Sequence, residues 1–246
     1  LGGGGYFFAG IGRSRAFCSQ AFFPDMPGSG LSPRGARPIT FDRLADAVIQ
    51  LIERKTDSPS VLVGHSMGSY DMRMYASRNL KQVAGMVLVD PSADGQMARM
   101  AAAAPRLEAL QKAAYAGAAR CAEMAKAGTL TPQTEGCRQA PPPDVPPELR
   151  DWAKARAGPQ NFITVGSELD SFNTLDTPQL LKVKRSFGSI PLIVLTGKPT
   201  LPGATAEETE AVYKVWVTMH DEMAALSSKG VNRPVPGASH YIQYEK

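Results

Sequence analysis

Short apolar runs without alternation, each leading into a stretch of helical periodicity, recur along both ends of the chain. Residues 61–63 and 86–89 are two such runs, and a third, broken only by Pro191, covers 190–195. Runs of this kind suit strands covered on both faces, the condition met in a parallel sheet. Between and after them the period changes. Phe41, Leu44, Ala45, Val48, Leu51 and Ile52 recur at helical spacing behind Thr40, an N-cap residue type, with Asp42 in the first turn. Residues 67–79 and 206–227 read as further helices, and 231–235 as a last strand that Pro234 keeps short or irregular. Strands alternating with helices predict an α/β architecture.

The rhythm breaks between 92 and 186. That stretch is rich in Ala and Met, helical in pieces, and interrupted by prolines at 141–143, 146 and 147. It reads as a helical insertion, a cap, with 1–91 and 187–246 forming the core. Ahead of the first helix, 2–12 is a glycine-rich loop, 21–23 is a candidate strand, and 24–30 is a turn dominated by Pro and Gly. With 246 residues and 43% hydrophobic content, one domain of α/β size can bury a full core.

Charge narrows the range of partners. The net charge is +4, with 27 basic residues scattered among 23 acidic ones. No basic block or aromatic interleaving marks a nucleic-acid surface. No apolar run approaches the ~18 residues that a membrane crossing needs. Cys18, Cys121 and Cys137 have no metal-ligand spacing, and three histidines complete a poor zinc inventory. Cys121 and Cys137 lie in a weakly packing segment that a disulfide would help order. If paired, they point to the periplasm or a secreted location; if reduced, to the cytoplasm.

Candidate chemistry centres on Gly64, His65, Ser66, Met67 and Gly68, which follow one apolar run directly and precede a helix. A serine on such a strand-to-helix turn projects its hydroxyl above the sheet, and flanking glycines let neighbouring backbone pass. Elsewhere the same five-residue pattern is often a plain turn, so its partners carry the case. A hydroxyl needs a base to take its proton, and imidazole has a suitable pKa. His240 is placed for this in the loop after the last strand, at the carboxyl edge where open α/β sheets bind ligands. His65 is expected to point away from the hydroxyl or into the packing beneath, and His220 to lie on a solvated helix face beside Asp221 and Glu222.

A carboxylate should fix the tautomer of the imidazole. After the run ending at Leu195 the chain offers no carboxylate until Glu207, so the position following the strand before last is empty. Asp90, closing the run 86–89, can supply the charge instead; Asp94 and Asp170 are the fallbacks, and a turn aspartate before Pro91 is the plain alternative. For transition-state charge, the N–H of Met67 sits at the start of a helix. A second donor is expected from the glycine-rich loop, with Gly3 favoured.

These pieces resemble the α/β-hydrolase superfamily, in its serine-nucleophile group with a helical cap inserted after the sixth strand. The resemblance rests on residues 64–68, 87–92, 191–196 and 237–243, with 24–30 similar to the Asp-x-x-Gly-x-Gly turn of that fold. It implies a Ser66, His240, Asp90 triad; some members place the acid after the sixth strand. It implies hydrolysis of a small-molecule carboxylic ester without metal or organic cofactor, by a chain with no nucleic-acid partner and no transmembrane segment. The apolar side chains of 92–186 favour an apolar acyl or alcohol group, although methionines at helical spacing are commonly ordinary core. Prolyl amide or carbon-carbon cleavage, or a ligand-binding member with little turnover, are the alternatives. Epoxide and haloalkane chemistry in that superfamily uses an aspartate nucleophile, which Ser66 argues against. If residues 1–5 are the oxyanion loop, the strands that normally precede it and the final helix are missing, and the chain is expected to be a fragment.

Overall fold

A computed structural model describes residues 25, 27–33, 35, 39–55, 58–131, 133–137, 147, 150–171 and 186–246. The chain divides into two compact units, Leu1–Thr40 with Lys112–Asn173, and Phe41–Gln111 with Thr174–Lys246. The expected strand at 21–23 lies outside the described residues.

The second unit carries a four-stranded sheet in the order β1 (Ser60–His65), β2 (Val83–Val89), β3 (Leu192–Thr196), β4 (Gly230–Pro234). Every neighbouring pair is parallel. Helices α1 (Phe41–Lys55) and α2 (Gly68–Asn79) flank β1 in sequence, and α2 packs on β1 and β2. α3 (Gln96–Ala103) follows β2, and α7 (Ala206–Ala224) joins β3 to β4 and packs on both. The short apolar runs become strands that pair in parallel with their neighbours, with helices in the connections between them.

Register explains which side chains form the core. Leu62, Met86 and Leu192 align across three strands, Leu88 and Val194 across two, and all five are at most 4% exposed. The opposite face departs from the two-sided cover expected of an unbroken apolar run. Val61 and Val63 are 61% and 42% exposed, and Val231, in register with Ile193, is 42% exposed. Burial along β1 alternates as the pleat dictates, with Leu62 and Gly64 buried and Val61 and Val63 turned to the open side.

Helix ends also have local causes. Thr205 and Glu208 form a reciprocal capping box at the start of α7. That helix stops at Ala224, earlier than its periodicity suggests, because a tight turn bonds Leu226 N–H to Met223 and Ser227 N–H to Ala224. A β-carbon at Gly230 would strike the Ala224 carbonyl, so only glycine lets the chain double back here into β4. A final short helix, α8 (Ile242–Glu245), follows His240.

In the first unit, α4 (Glu108–Lys126) contributes its larger part, with α5 (Arg150–Ala157) and α6 (Pro159–Ser171). Gly166 of α6 approaches Ala122 of α4 so closely that a β-carbon would lie 2.5 Å from the alanine methyl. Thr164 donates to the Gly28 carbonyl at 2.9 Å, and Ser167 Oγ accepts from Ile39 N–H at 2.9 Å. Asp25 opens the turn at 25–32 by accepting Leu31 N–H on its carboxylate. Cys121 and Cys137 are joined in a disulfide. No helix among the described residues is long and apolar enough to cross a membrane.

Candidate active site

Ser66 sits immediately after β1 with φ of 53°, in the left-handed region that non-glycine residues avoid. Holding a serine there costs about 1–3 kcal/mol, so the surroundings must fix it. They do so through three backbone bonds: Ser66 N–H donates to Val89 at 3.1 Å, and its carbonyl accepts from Ser69 at 3.1 Å and Ser92 at 3.0 Å. The turn is therefore tied to the end of the adjacent strand. Of the two flanking glycines, Gly64 is the one that space demands, since a β-carbon there would lie 2.7 Å from the Gly68 carbonyl and 2.9 Å from Met72. Gly68 has open space where a β-carbon would point. Met67 N–H, one residue ahead of α2, has no acceptor among the described residues, as an oxyanion donor requires.

Asp90 ends β2 much as Ser66 ends β1, again with positive φ, at 39°. Its carboxylate is 2% exposed and accepts three hydrogen bonds. Oδ2 receives His240 Nδ1–H at 2.6 Å, while Oδ1 receives Gly197 N–H at 2.9 Å and Trp216 Nε1–H at 2.8 Å. Gly197 stands where the chain lacks a carboxylate after β3. Its N–H reaches Asp90 because Val89 and Leu195 are in register and Asp90 N–H bonds the Leu195 carbonyl. A β-carbon at Gly197 would strike the Ser239 carbonyl, one residue before His240, so glycine lets the histidine loop pass. With Nδ1–H committed to Asp90, the neutral imidazole keeps its lone pair on Nε2, the form a general base needs. No hydrogen bond joins Ser66 Oγ to the ring among the described residues.

The other two histidines make long-range contacts, and one of them lies elsewhere than its local sequence suggests. His65 donates Nε2–H to the His240 carbonyl at 2.8 Å, and the two rings lie 4.6 Å apart. Burial pulls its pKa from 6.5 down to about 4, against the raising effect of that hydrogen bond. It stands as a neutral prop beside the candidate base. His220, expected on a solvated face, is fully buried. It donates Nε2–H to the Pro91 carbonyl at 2.9 Å, Nδ1 lies 2.6 Å from Thr196 Oγ1, and burial lowers its pKa. Val212, Trp216, Met219 and Met223 are buried on the same helix, so the stripe containing His220 faces inward. That spacing was the available signal.

A sequence profile of the Alpha/beta hydrolase family matches residues 2–246. The chain belongs to that family. Over 78 residues it is 40% identical to Lipase LipV of Mycobacterium tuberculosis (strain ATCC 25618 / H37Rv), an alignment spanning 31% of this chain and 30% of that protein. Among solved structures, a thermophilic esterase from Thermogutta terrifontis, with malate bound, superposes with a TM-score of 0.51 at 22% identity, over 89% of this chain and 71% of the other. The epoxide hydrolase CorEH superposes with a TM-score of 0.57 at 14% identity, over 91% and 76%. Such distant likenesses speak to the fold, which is that of the α/β-hydrolases.

One of the two fallback acids is already paired in this family member. Asp94 pairs through both oxygens with Arg73 at 2.8 and 3.3 Å, and Arg73 is buried on α2. Asp170 is an exposed residue of α6 in the other compact unit. Gly3, the expected second oxyanion donor, lies outside the described residues. Trp216 had no place among the residues singled out from the sequence, although it touches the carboxylate directly.

Proposed function

We propose that this family member is a serine hydrolase that cleaves small to medium apolar carboxylic esters through an acyl-enzyme. The observation that carries the reading is the 2.6 Å Asp90–His240 pair beside a strand whose next residue is the strained Ser66. His240 Nε2 takes the Ser66 proton as Oγ bonds to the ester carbonyl carbon, and Asp90 stabilises the imidazolium that forms. Negative charge passes to the carbonyl oxygen, where Met67 N–H and the start of α2 stabilise it. The tetrahedral species collapses as the carbon–alkoxy bond breaks, and the imidazolium returns the proton to the departing alcohol. Water, deprotonated by His240, then attacks the acyl carbon and frees Ser66 together with the acid.

Ester chemistry is supported by the esterase and lipase among the similar proteins, and an apolar substrate by the Ala- and Met-rich composition of 92–186. A panel of p-nitrophenyl esters of increasing chain length, run against proline arylamides, tests both. Ester turnover that Ser66→Ala abolishes is expected. Preferential release of arylamine, or tight ligand binding with no product from any ester, would overturn the assignment.

A further inference from the structure

The hydrolysis scheme uses one oxygen of Asp90; the other is gripped by a side chain with no part in proton transfer. Trp216 projects from the middle of α7 and gives its indole N–H to Oδ1 at 2.8 Å, in a site where Asp90 is 2% and Trp216 6% exposed. One turn along the same helix, His220 packs its ring 4.6 Å from the indole and holds the carbonyl of Pro91, the residue after Asp90. A single helix thus grips both the carboxylate and the peptide that follows it. Asp90 needs such a grip, since its backbone lies at positive φ, where an aspartate is strained. An indole N–H can only donate, so it favours a charged acceptor over a protonated one. Both fixed donors, Gly197 N–H and Trp216 Nε1–H, converge on Oδ1, which leaves Oδ2 to His240 alone.

We propose that Trp216 is a positioning residue for the triad: through Oδ1 it aims Oδ2 at His240. The inference rests on the Ser66, His240, Asp90 reading. The titratable groups that feel the Asp90 charge are His240 on the closing loop, His65 at the end of β1 and His220 on α7. Trp216→Phe keeps an aromatic ring in the core and deletes the donor together with part of the bicyclic ring. Without the donor, Oδ1 keeps one fixed partner and the carboxylate is free to turn.

Trp216→Phe is expected to lower kcat for a p-nitrophenyl ester about 10- to 100-fold, the range for one lost hydrogen bond to a charged group, with KM little changed. The acid limb of kcat/KM should shift, because the carboxylate that faces His240 is no longer held in place. A purely structural role would lower Tm and leave that limb in place, and this result would overturn the proposal. Should the variant fail to fold, the wild-type chain still decides. It has two tryptophans, Trp152 and Trp216, so its 15N indole spectrum has two cross-peaks and an internal reference. The Trp216 peak should titrate with the acid limb and shift in Asp90→Asn; a peak indifferent to both overturns the proposal. Fluorophosphonate labelling of Ser66 in the same sample separates the two claims. A labelled serine with a silent indole refutes only the role of Trp216, whereas an unlabelled serine refutes the hydrolase reading.

Discussion

Replacing Asp90 by Asn is the most informative single change, because its consequence follows from which donors face which oxygen. Asparagine offers one acceptor oxygen and one donor NH2 in the shape of the carboxylate. Gly197 N–H and Trp216 Nε1–H both point at the Oδ1 position, so the amide oxygen must settle there. The NH2 is then left 2.6 Å from His240 Nδ1, donor against donor. The imidazole escapes by moving its proton to Nε2, the atom that has to receive the proton of Ser66. In serine-protease triads this tautomer reversal costs about 10^4 in kcat, or roughly 5 kcal/mol at 1.36 kcal/mol per decade. Stability should change far less, by under about 2 kcal/mol, since the amide oxygen keeps two of the three hydrogen bonds. The assay is steady-state hydrolysis of a p-nitrophenyl ester together with thermal unfolding. A kcat within tenfold of wild type, at unchanged Tm, would refute the reasoning and move the acid elsewhere.

Three further perturbations test separate parts of the structure. Gly64→Ala puts a methyl 2.7 Å from the Gly68 carbonyl and should cost about 1–3 kcal/mol, whereas Gly68→Ala meets open space and should be neutral or slightly stabilising; comparing their Tm values checks this. Because His65 stays neutral in the fold down to about pH 4 while the unfolded chain protonates it near 6.5, unfolding takes up a proton and stability falls as pH drops between those values. The contribution is up to about 3 kcal/mol, so denaturant titrations at pH 7 and pH 4.5 should show wild type losing more than His65→Gln; parallel losses would contradict it. The Cys121–Cys137 bond closes a loop of 16 residues, and the double Ser variant should lose about 2–4 kcal/mol. Denatured, unreduced protein should accept iodoacetamide at one of its three cysteines.

Local pattern made the elements legible: the apolar runs at 61–63, 86–89 and 190–195 lie within or overlap strands, and the helices at 41–55, 68–79 and 206–224 follow their apolar spacing. Ser66 was singled out from its place at the end of β1 and His240 from the loop after β4, because the order of those strands fixes the carboxyl edge of the sheet. Asp90 emerged by elimination, from a missing carboxylate after β3. Contacts spanning the chain were not legible. Trp216 meets Asp90 across 126 positions and His65 meets His240 across 175, and both depend on strand register and loop path rather than on spacing. His220 was misjudged from its acidic neighbours in sequence, when the buried stripe of α7 decides its side. The open valines of β1 show the limit of reading burial from apolar runs, because a strand covered on one face can still carry an unbroken run.

The central claim, that Ser66 is a nucleophile activated by His240, is tested most directly by intact-protein mass spectrometry after reaction with a fluorophosphonate. One adduct per chain is predicted, mapping to the peptide that carries Ser66, absent in Ser66→Ala and formed far more slowly in His240→Ala. A folded wild-type chain that gains no adduct, or gains one elsewhere that survives Ser66→Ala, would contradict the account.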